Sequence, residues 1–248
     1  MGITVPVNVQ STLDTTASKS MFLNVPKDGA LRVRFLPTVD GSEGSLFALT
    51  SSHFRLKAED GEKGIAVGCN KLHSPGQECI LCKVQEFLAN SDDPLEKAVG
   101  DSRESIRASN NWYAQVLPAI PQDNKKFTYG ELKLLRLPKT GATKVGKLLK
   151  VQHAAGEDFF TDENEGRDVM LTREDTGVQF TQYDAMVVGK PSALNDIRPS
   201  WESEIFSWPA LWDALDVKIM SPEEQKACLM VSYPAFDWKA IFKGAGVE

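Results

Sequence analysis

Apolar and polar residues alternate along several short stretches of the chain, which is the period of a β-strand with one buried face. Residues 31–36 read Leu-Arg-Val-Arg-Phe-Leu, so a strand is predicted in which Arg32 and Arg34 share one face. Further strands are predicted at residues 46–56 and 112–120, and a hairpin is predicted from residues 169–173 and 178–183. The chain is therefore expected to be mainly β.

Other segments follow the helical period. Residues 143–151 place Val145, Leu148 and Leu149 among lysines, which predicts a basic amphipathic helix. A short helix is predicted at residues 82–89, and C-terminal helices at residues 201–215 and 222–231. Residues 1–20, rich in Thr, Ser and Val, predict a flexible N-terminal arm. Residues 67–82 are too rich in Gly, Ser, Pro and polar residues to form an apolar core by themselves, so an interaction other than apolar packing must order this segment.

Three of the four cysteines fall in or at the end of this polar segment. Cys79 and Cys82 form a Cys-x-x-Cys pair, which places two thiolates on one tight turn, and Cys69 lies across a loop from them. Three thiolates and an imidazole form the tetrahedral ligand set that Zn²⁺ prefers. His53 and His73 are both feasible fourth ligands, and spacing alone does not decide between them. One structural zinc ion is therefore expected.

No catalytic motif accompanies the cysteines. The H-x-E and P-C-x-x-C halves of the zinc-deaminase signature are both absent around His53 and Cys79. Residues 141–148 match the Gly and Lys spacing of a phosphate-binding loop, but Leu148 stands where a hydroxyl should bind Mg²⁺. Local Ser-His-Asp or Cys-His signatures are also missing. The chain is therefore expected not to be an enzyme.

Composition and charge further limit the class of protein to which the chain can belong. The 248 residues are 42% hydrophobic and 25% charged, an ordinary globular composition. The sequence has no apolar run long enough to cross a membrane and no signal-peptide pattern, and its cysteines are clustered. The chain is therefore expected to be cytoplasmic and to have no membrane partner. The net charge is −6, yet residues 103–153 carry 10 Lys and Arg against 3 Asp and Glu. Such a local positive potential attracts phosphates, although a solvated helix face is the alternative.

Cations and aromatic residues interleave in and near this basic segment, which suits the binding of single strands whose bases are free to stack. Trp112 and Tyr113 point to opposite faces of the predicted strand; we expect Trp112 in the core and Tyr113 facing DNA. The candidate DNA-binding residues are Arg34, Arg103, Arg107, Tyr113, Lys125, Lys126, Phe127, Tyr129, Lys133 and Arg136.

Together these motifs resemble the zinc-containing single-stranded-DNA-binding proteins of T-even bacteriophages. The resemblance covers about residues 21–229. Residues 32–37, Arg-Val-Arg-Phe-Leu-Pro, are similar to that family's first barrel strand. The most specific match is Cys-x3-His-x5-Cys-x2-Cys, preceded by a histidine and followed by an aromatic pair, at His53, Cys69, His73, Cys79, Cys82, Trp112 and Tyr113.

The resemblance implies a five-stranded OB-fold barrel within residues 21–248, with an inserted zinc subdomain at about residues 50–90 and a helical C-terminal part at about residues 200–248. It implies His53 as the zinc ligand. It also implies a sequence-nonspecific protein that coats single strands in phage DNA replication, recombination and repair, in the host cytoplasm. Phage replication proteins and self-association on DNA are the implied partners, although Lys19 is the only cation where that family carries a basic arm. A zinc-containing protein-interaction or transcription-associated module is the alternative.

Overall fold

A computed structural model describes residues 21–37, 46–58, 61, 63–102, 105–122, 126–156, 162–175, 181–205 and 217–247. The strands of these residues are β1 (Phe22–Leu23), β2 (Gly29–Phe35), β3 (Ala48–Lys57), β4 (Gly64–Gly68), β5 (Ser109–Pro121), β6 (Phe127–Tyr129), β7 (Lys133–Leu137), β8 (Asp168–Asp175) and β9 (Thr181–Val188). The helices are α1 (Asn70–His73), α2 (Ile80–Ala89), α3 (Pro94–Gly100), α4 (Lys139–Ala154), α5 (Leu194–Ile197), α6 (Trp201–Glu204), α7 (Pro222–Ser232) and α8 (Trp238–Gly244).

The chain is mainly β with several helices, as the sequence predicts. The nine strands of the described residues form one mixed sheet with a central order β1-β7-β5-β2-β8-β9. In this path β1 and β7 are parallel and the other pairs are antiparallel. Over the described residues this sheet is not closed into a barrel. The predicted five-stranded OB-fold barrel is therefore not confirmed.

The chain divides into two compact units, of which unit 1 comprises residues 1–49 and 111–210. Its core lies on one face of the sheet, where alternate residues of β2 and β5 are buried together with Ala142 and Val145 of α4. A second, smaller apolar cluster contains Leu36, Leu117, Leu194 and Trp201. The predicted hairpin is confirmed as the antiparallel pair β8 and β9, whose turn residues 176–180 lie outside the described residues.

Unit 2 comprises residues 50–110 and 211–248. The antiparallel pair β3 and β4 and the helices α1, α2, α3, α7 and α8 surround a core that includes Val67, Leu81, Val84 and Leu229. Helix α7 begins with a capping box, in which the Ser221 side chain accepts from the backbone N–H of Glu224 and the Glu224 carboxylate accepts from that of Ser221.

Most of the remaining sequence predictions for the described residues match an element. The helix predicted at residues 143–151 is the middle of α4, and the helix predicted at residues 222–231 is α7. Residues 201–204 are helical as α6, whereas residues 206–216 and the arm at residues 1–20 lie outside the described residues. None of the described helices is long and apolar enough to cross a membrane.

Candidate metal centre and candidate nucleic-acid interface

Four side chains of unit 2 converge because three neighbouring elements end or bend at the same place. His53 lies in β3 beside an irregularity in its pairing with β4, where Arg55 has a φ of 65°. Two residues of β3 face one of β4 there, which is the geometry of a β-bulge and bends the strand locally. Cys69 follows β4 directly and is the N-cap of α1, Cys79 is the N-cap of α2, and Cys82 lies in the first turn of α2.

Four of the six distances among the ligand atoms are within about 0.4 Å of those in a tetrahedral zinc site. The Sγ of Cys69 lies 3.8 Å from that of Cys79 and 3.4 Å from that of Cys82. The Nε2 of His53 lies 3.4 Å from the Cys79 Sγ and 3.6 Å from the Cys82 Sγ. A tetrahedral zinc ion with Zn–S about 2.3 Å and Zn–N about 2.0–2.1 Å requires edges of roughly 3.6–3.8 Å. All four ligand atoms lie within 4.8 Å of one another, so they could hold one metal ion.

The ring of His53 is fixed in the tautomer that a metal ligand needs. Its Nδ1 lies 2.6 Å from the carbonyl oxygen of Ile106. Because a carbonyl only accepts hydrogen bonds, Nδ1 must carry a proton, so in the neutral ring that binds a metal the lone pair of Nε2 faces the sulfurs. A backbone carbonyl in this position is a common outer partner of a metal-bound histidine, since it orients the ring and increases its basicity.

The thiols of the cluster share their protons unequally: the pKa values of Cys69 and Cys79 are lowered, whereas hydrogen bonds with those two thiols raise the pKa of Cys82. Hydrogen bonds with the Cys79 and Cys82 thiols, with further hydrogen bonds from His53 and the Lys71 backbone N–H, hold the pKa of Cys69 well below its usual value despite burial. Burial alone would lower the pKa of His53, but its hydrogen bonds with Cys69 and Cys79 outweigh burial and raise that pKa to about 9. The metal-free cluster therefore retains protons on His53 and on thiols, and a bound metal would displace them.

His73, the alternative fourth ligand, lies elsewhere. Its Nε2 is 3.1 Å from the backbone nitrogen of Ser51, from which it accepts a hydrogen bond. Burial lowers the pKa of His73. The group of four that could hold a metal contains His53 and not His73. Thus the geometry selects between two histidines that spacing alone leaves equivalent.

The candidate DNA-binding residues occupy three kinds of environment. Arg103 and Lys125 lie outside the described residues. Arg107, Lys126, Phe127 and Arg136 are exposed, Tyr113 and Tyr129 are half-buried, and Arg34 and Lys133 are buried. Trp112 packs against the core of unit 1, which confirms the face predicted for it, whereas the DNA contact of Tyr113 stays a prediction.

Burial gives Arg34 and Lys133 internal partners. One guanidinium nitrogen of Arg34 donates to the carbonyl oxygens of Asp162 and Ser192 at 2.9 Å each, and burial lowers the Arg34 pKa. The Nζ of Lys133 lies 3.9 Å from a carboxylate oxygen of Glu131. Neither cation is presented to a phosphate in this structure, although the sequence selects both.

A cleft in unit 1 collects polar and aromatic residues from strands that are far apart in sequence. It has a volume of about 230 Å³ and is lined by Asn24, Val25, Asn111, Arg136, Pro138, Arg173 and Tyr183. The Nε of Arg136 donates to Asn111 Oδ1 at 2.9 Å, and no acidic partner of Arg136 occurs within the described ranges. Arg173, in contrast, donates two hydrogen bonds to Asp175. The cleft thus holds one unneutralised guanidinium.

Sequence reasoning missed Arg173 and Tyr183. They form a cross-strand pair in the β8–β9 hairpin. Because the hairpin itself is predictable, its register was the available signal: it pairs a cation with an aromatic ring two residue pairs from the turn end, where Asp175 pairs with Thr181. Nothing in the sequence indicates that Arg136, on β7, lines the same cleft.

Residues 141–147, which resemble a phosphate-binding loop in glycine and lysine spacing, lie inside the regular helix α4. A phosphate-binding loop instead wraps its backbone N–H groups around the ligand before the helix begins. The helical conformation agrees with the rejection of that motif.

No protein-family model matches the chain, and a search of curated proteins finds no match.

Proposed function

We propose that this protein binds single-stranded DNA without sequence preference and that a structural zinc ion stabilises its unit 2. The observation that carries the DNA proposal is the cleft of unit 1, in which Arg136 has no acidic partner among the described residues and Tyr183 offers an aromatic ring. Sequence-tolerant binding of exposed bases requires this combination, because cations contact phosphates while aromatic rings stack on bases. Coating of strands during phage replication, recombination and repair is the setting that the motif resemblance suggests.

The half-buried Tyr113 extends the aromatic surface near Arg136. Tyr113 and Arg136 are cross-strand neighbours on β5 and β7, and the Tyr113 ring meets Phe22 edge to face with centroids 6.1 Å apart. A duplex hides its base faces and would engage only the cations. Half-buried rings beside an arginine that has no acidic partner among the described residues therefore support single strands as the ligand. The proposal does not require a closed OB-type barrel, because residues of the open sheet line the cleft.

Zinc is proposed as the metal because three thiolates and one imidazole form a soft, tetrahedral ligand set. All four coordination positions would be taken by protein atoms, which leaves none for a substrate and favours a structural role. Cys69 and Cys79 also belong to the apolar core of unit 2, so metal binding and packing of that core are coupled.

A salt series on oligonucleotide affinity tests the DNA proposal. Fluorescence anisotropy should show that an oligo-dT binds more tightly than a duplex of equal length, with affinity falling steeply as salt rises. Arg136→Gln should lower the slope of log affinity against log salt by about 0.7, the value for one phosphate contact on a single strand. Lys239→Gln, at an exposed position of α8, is the control and should leave the slope unchanged. Absence of single-strand binding by the wild-type protein at low salt refutes the proposal.

One observation favours the alternative of a protein-interaction module. Unit 2 has a groove of about 600 Å³ lined partly by Ile65, Ile219, Met220 and Cys228, and Ile219 is 47% exposed. Exposed apolar side chains around a groove are common at protein–protein contacts. The salt series separates the two functions, since a module that binds only proteins would show no preference for single strands.

A further inference from the structure

Phe127 has one ring face covered and is otherwise accessible. It begins the three-residue strand β6 and is 39% exposed. The guanidinium carbon of Arg32 lies 3.8 Å from the centroid of its ring, which is a close cation–π contact. Because Arg32 occupies one face, the exposed area of the ring belongs to its other face and its edge.

A chain of hydrogen bonds holds Arg32 in this position. Its Nε donates to the Asp168 carboxylate at 2.6 Å, and the hydroxyl of Tyr129 donates to both oxygens of the same carboxylate at 3.0 and 3.1 Å. Asp168 is only 2% exposed, so this anion is removed from solvent and its charge is directed at Arg32. Arg32 therefore has little freedom to leave the ring of Phe127.

This arrangement is more ordered than a surface phenylalanine needs for packing alone. A ring fixed in advance loses little conformational entropy when a flat ligand stacks on it, which increases affinity. A cation behind the ring and a base in front of it would form a three-layer stack, and base–aromatic stacking tolerates every sequence because each base has a π face. Lys126, which is exposed and precedes Phe127 in the chain, adds a positive charge to this segment.

We propose that Phe127 is a stacking platform for one nucleobase of a bound single strand and that Arg32, held by Asp168 and Tyr129, is the residue that positions it. This inference rests on the proposed binding of single-stranded DNA and assigns one base contact within it. Arg32 acts through the ring of Phe127, and the Tyr129–Asp168 pair acts through Arg32.

The test compares an oligo-dT with an oligonucleotide of equal length and charge that consists of abasic sites. Phe127→Leu should weaken oligo-dT binding at least about fivefold, the lower limit for one stacked base, and change abasic binding less than about twofold. Phe127→Trp should keep or increase oligo-dT affinity because it retains a ring. Arg32→Gln should show the same contrast with a smaller loss, and Arg32→Lys should restore part of it because a cation returns to the ring face.

Two controls keep the result interpretable. Met186→Ala removes another exposed apolar side chain of unit 1, on β9, and should change neither affinity. Photocrosslinking of the wild-type protein to an oligonucleotide with 5-iodouracil should place the crosslink on Phe127, a result that does not depend on the folding of any variant.

The outcomes separate this inference from the proposed function. If the wild-type protein binds no single strand, both are wrong. If it binds oligo-dT but Phe127→Leu retains full affinity and no crosslink maps to Phe127, only the platform is wrong. An equal loss on oligo-dT and abasic DNA also overturns the platform, because it would mean that Phe127 contributes without stacking on a base.

Discussion

The choice between His53 and His73 at the candidate metal centre can be tested by replacing each histidine, separately, with glutamine. His53→Gln removes an imidazole whose Nε2 lies 3.4–3.6 Å from two of the three sulfurs. His73→Gln removes an imidazole whose Nε2 accepts a hydrogen bond from the Ser51 backbone. Glutamine approximates the size of histidine in both variants, so a difference between them reports on coordination.

The two substitutions are expected to lower zinc affinity by very different factors. Loss of an outer partner of a metal ligand costs about 10–100-fold in affinity, so loss of the ligand itself should exceed about 100-fold, or about 2.7 kcal/mol. His53→Gln also leaves the buried carbonyl of Ile106 without the ring N–H that it accepts from. His73→Gln should cost the net value of one hydrogen bond, about 0.5–1.5 kcal/mol of unfolding free energy, and change zinc affinity less than about tenfold.

Zinc affinity is measured by competition with a chromogenic chelator, and coordination is checked by visible absorption after Co²⁺ replaces zinc. The wild-type protein and His73→Gln should show the intense bands of a tetrahedral thiolate site, which His53→Gln should weaken or shift. The reasoning is refuted if His73→Gln loses the metal while His53→Gln retains wild-type affinity. Wild-type protein that takes up no zinc or Co²⁺ would refute the metal centre altogether.

Two further predictions concern packing and pH. A Cβ at Gly100 would overlap the backbone of Leu88 and Ala89, whereas a Cβ at Gly146, inside α4, would meet nothing within 4 Å. Gly100→Ala should therefore lower the unfolding free energy by about 3 kcal/mol or more, while Gly146→Ala should raise it by up to about 1 kcal/mol. Urea denaturation measures both changes. Equal effects of the two substitutions would contradict the packing around Gly100. Acidification should release the metal, because the Cys thiolates and the His53 imidazole regain protons that compete with it. Chelator competition across a pH series should show affinity falling as pH falls, and a flat profile would count against thiolate ligands.

Much of the secondary structure could be predicted from the sequence because it depends on local periodicity. The alternation at residues 31–36 and 112–120 corresponds to β2 and β5, and the helical spacing at residues 143–151 corresponds to α4. The strands of the described residues that were not predicted are short: β1 has two residues, β6 has three, and β4 and β7 have five each. Such strands show too few positions for a period, and β1 exists through its parallel pairing with β7, more than a hundred residues away.

For the candidate metal centre, spacing predicted the cysteines but not the fourth ligand, and only the family resemblance pointed to His53. Spacing reports which ligands can share a turn, and it identified Cys79 and Cys82 in this way. The fourth ligand depends on which histidine the folded chain brings to the sulfurs. His53 reaches them from β3 beside its bulge, and a bulge depends on the register between β3 and β4, which no local pattern specifies.

Whether a basic strand residue is buried or exposed depends on which segments cover its part of the sheet. Alternation places Arg34 on the face opposite the core, but its cross-strand partner is Leu117, a member of the second apolar cluster that buries this part of the face. Arg136 instead faces the half-buried Tyr113, and it remains exposed. A strand pattern specifies only which face a side chain occupies, whereas covering by distant segments decides whether that face meets solvent. A phosphate contact is therefore expected from Arg136, beside the ring of Tyr113, and not from Arg34.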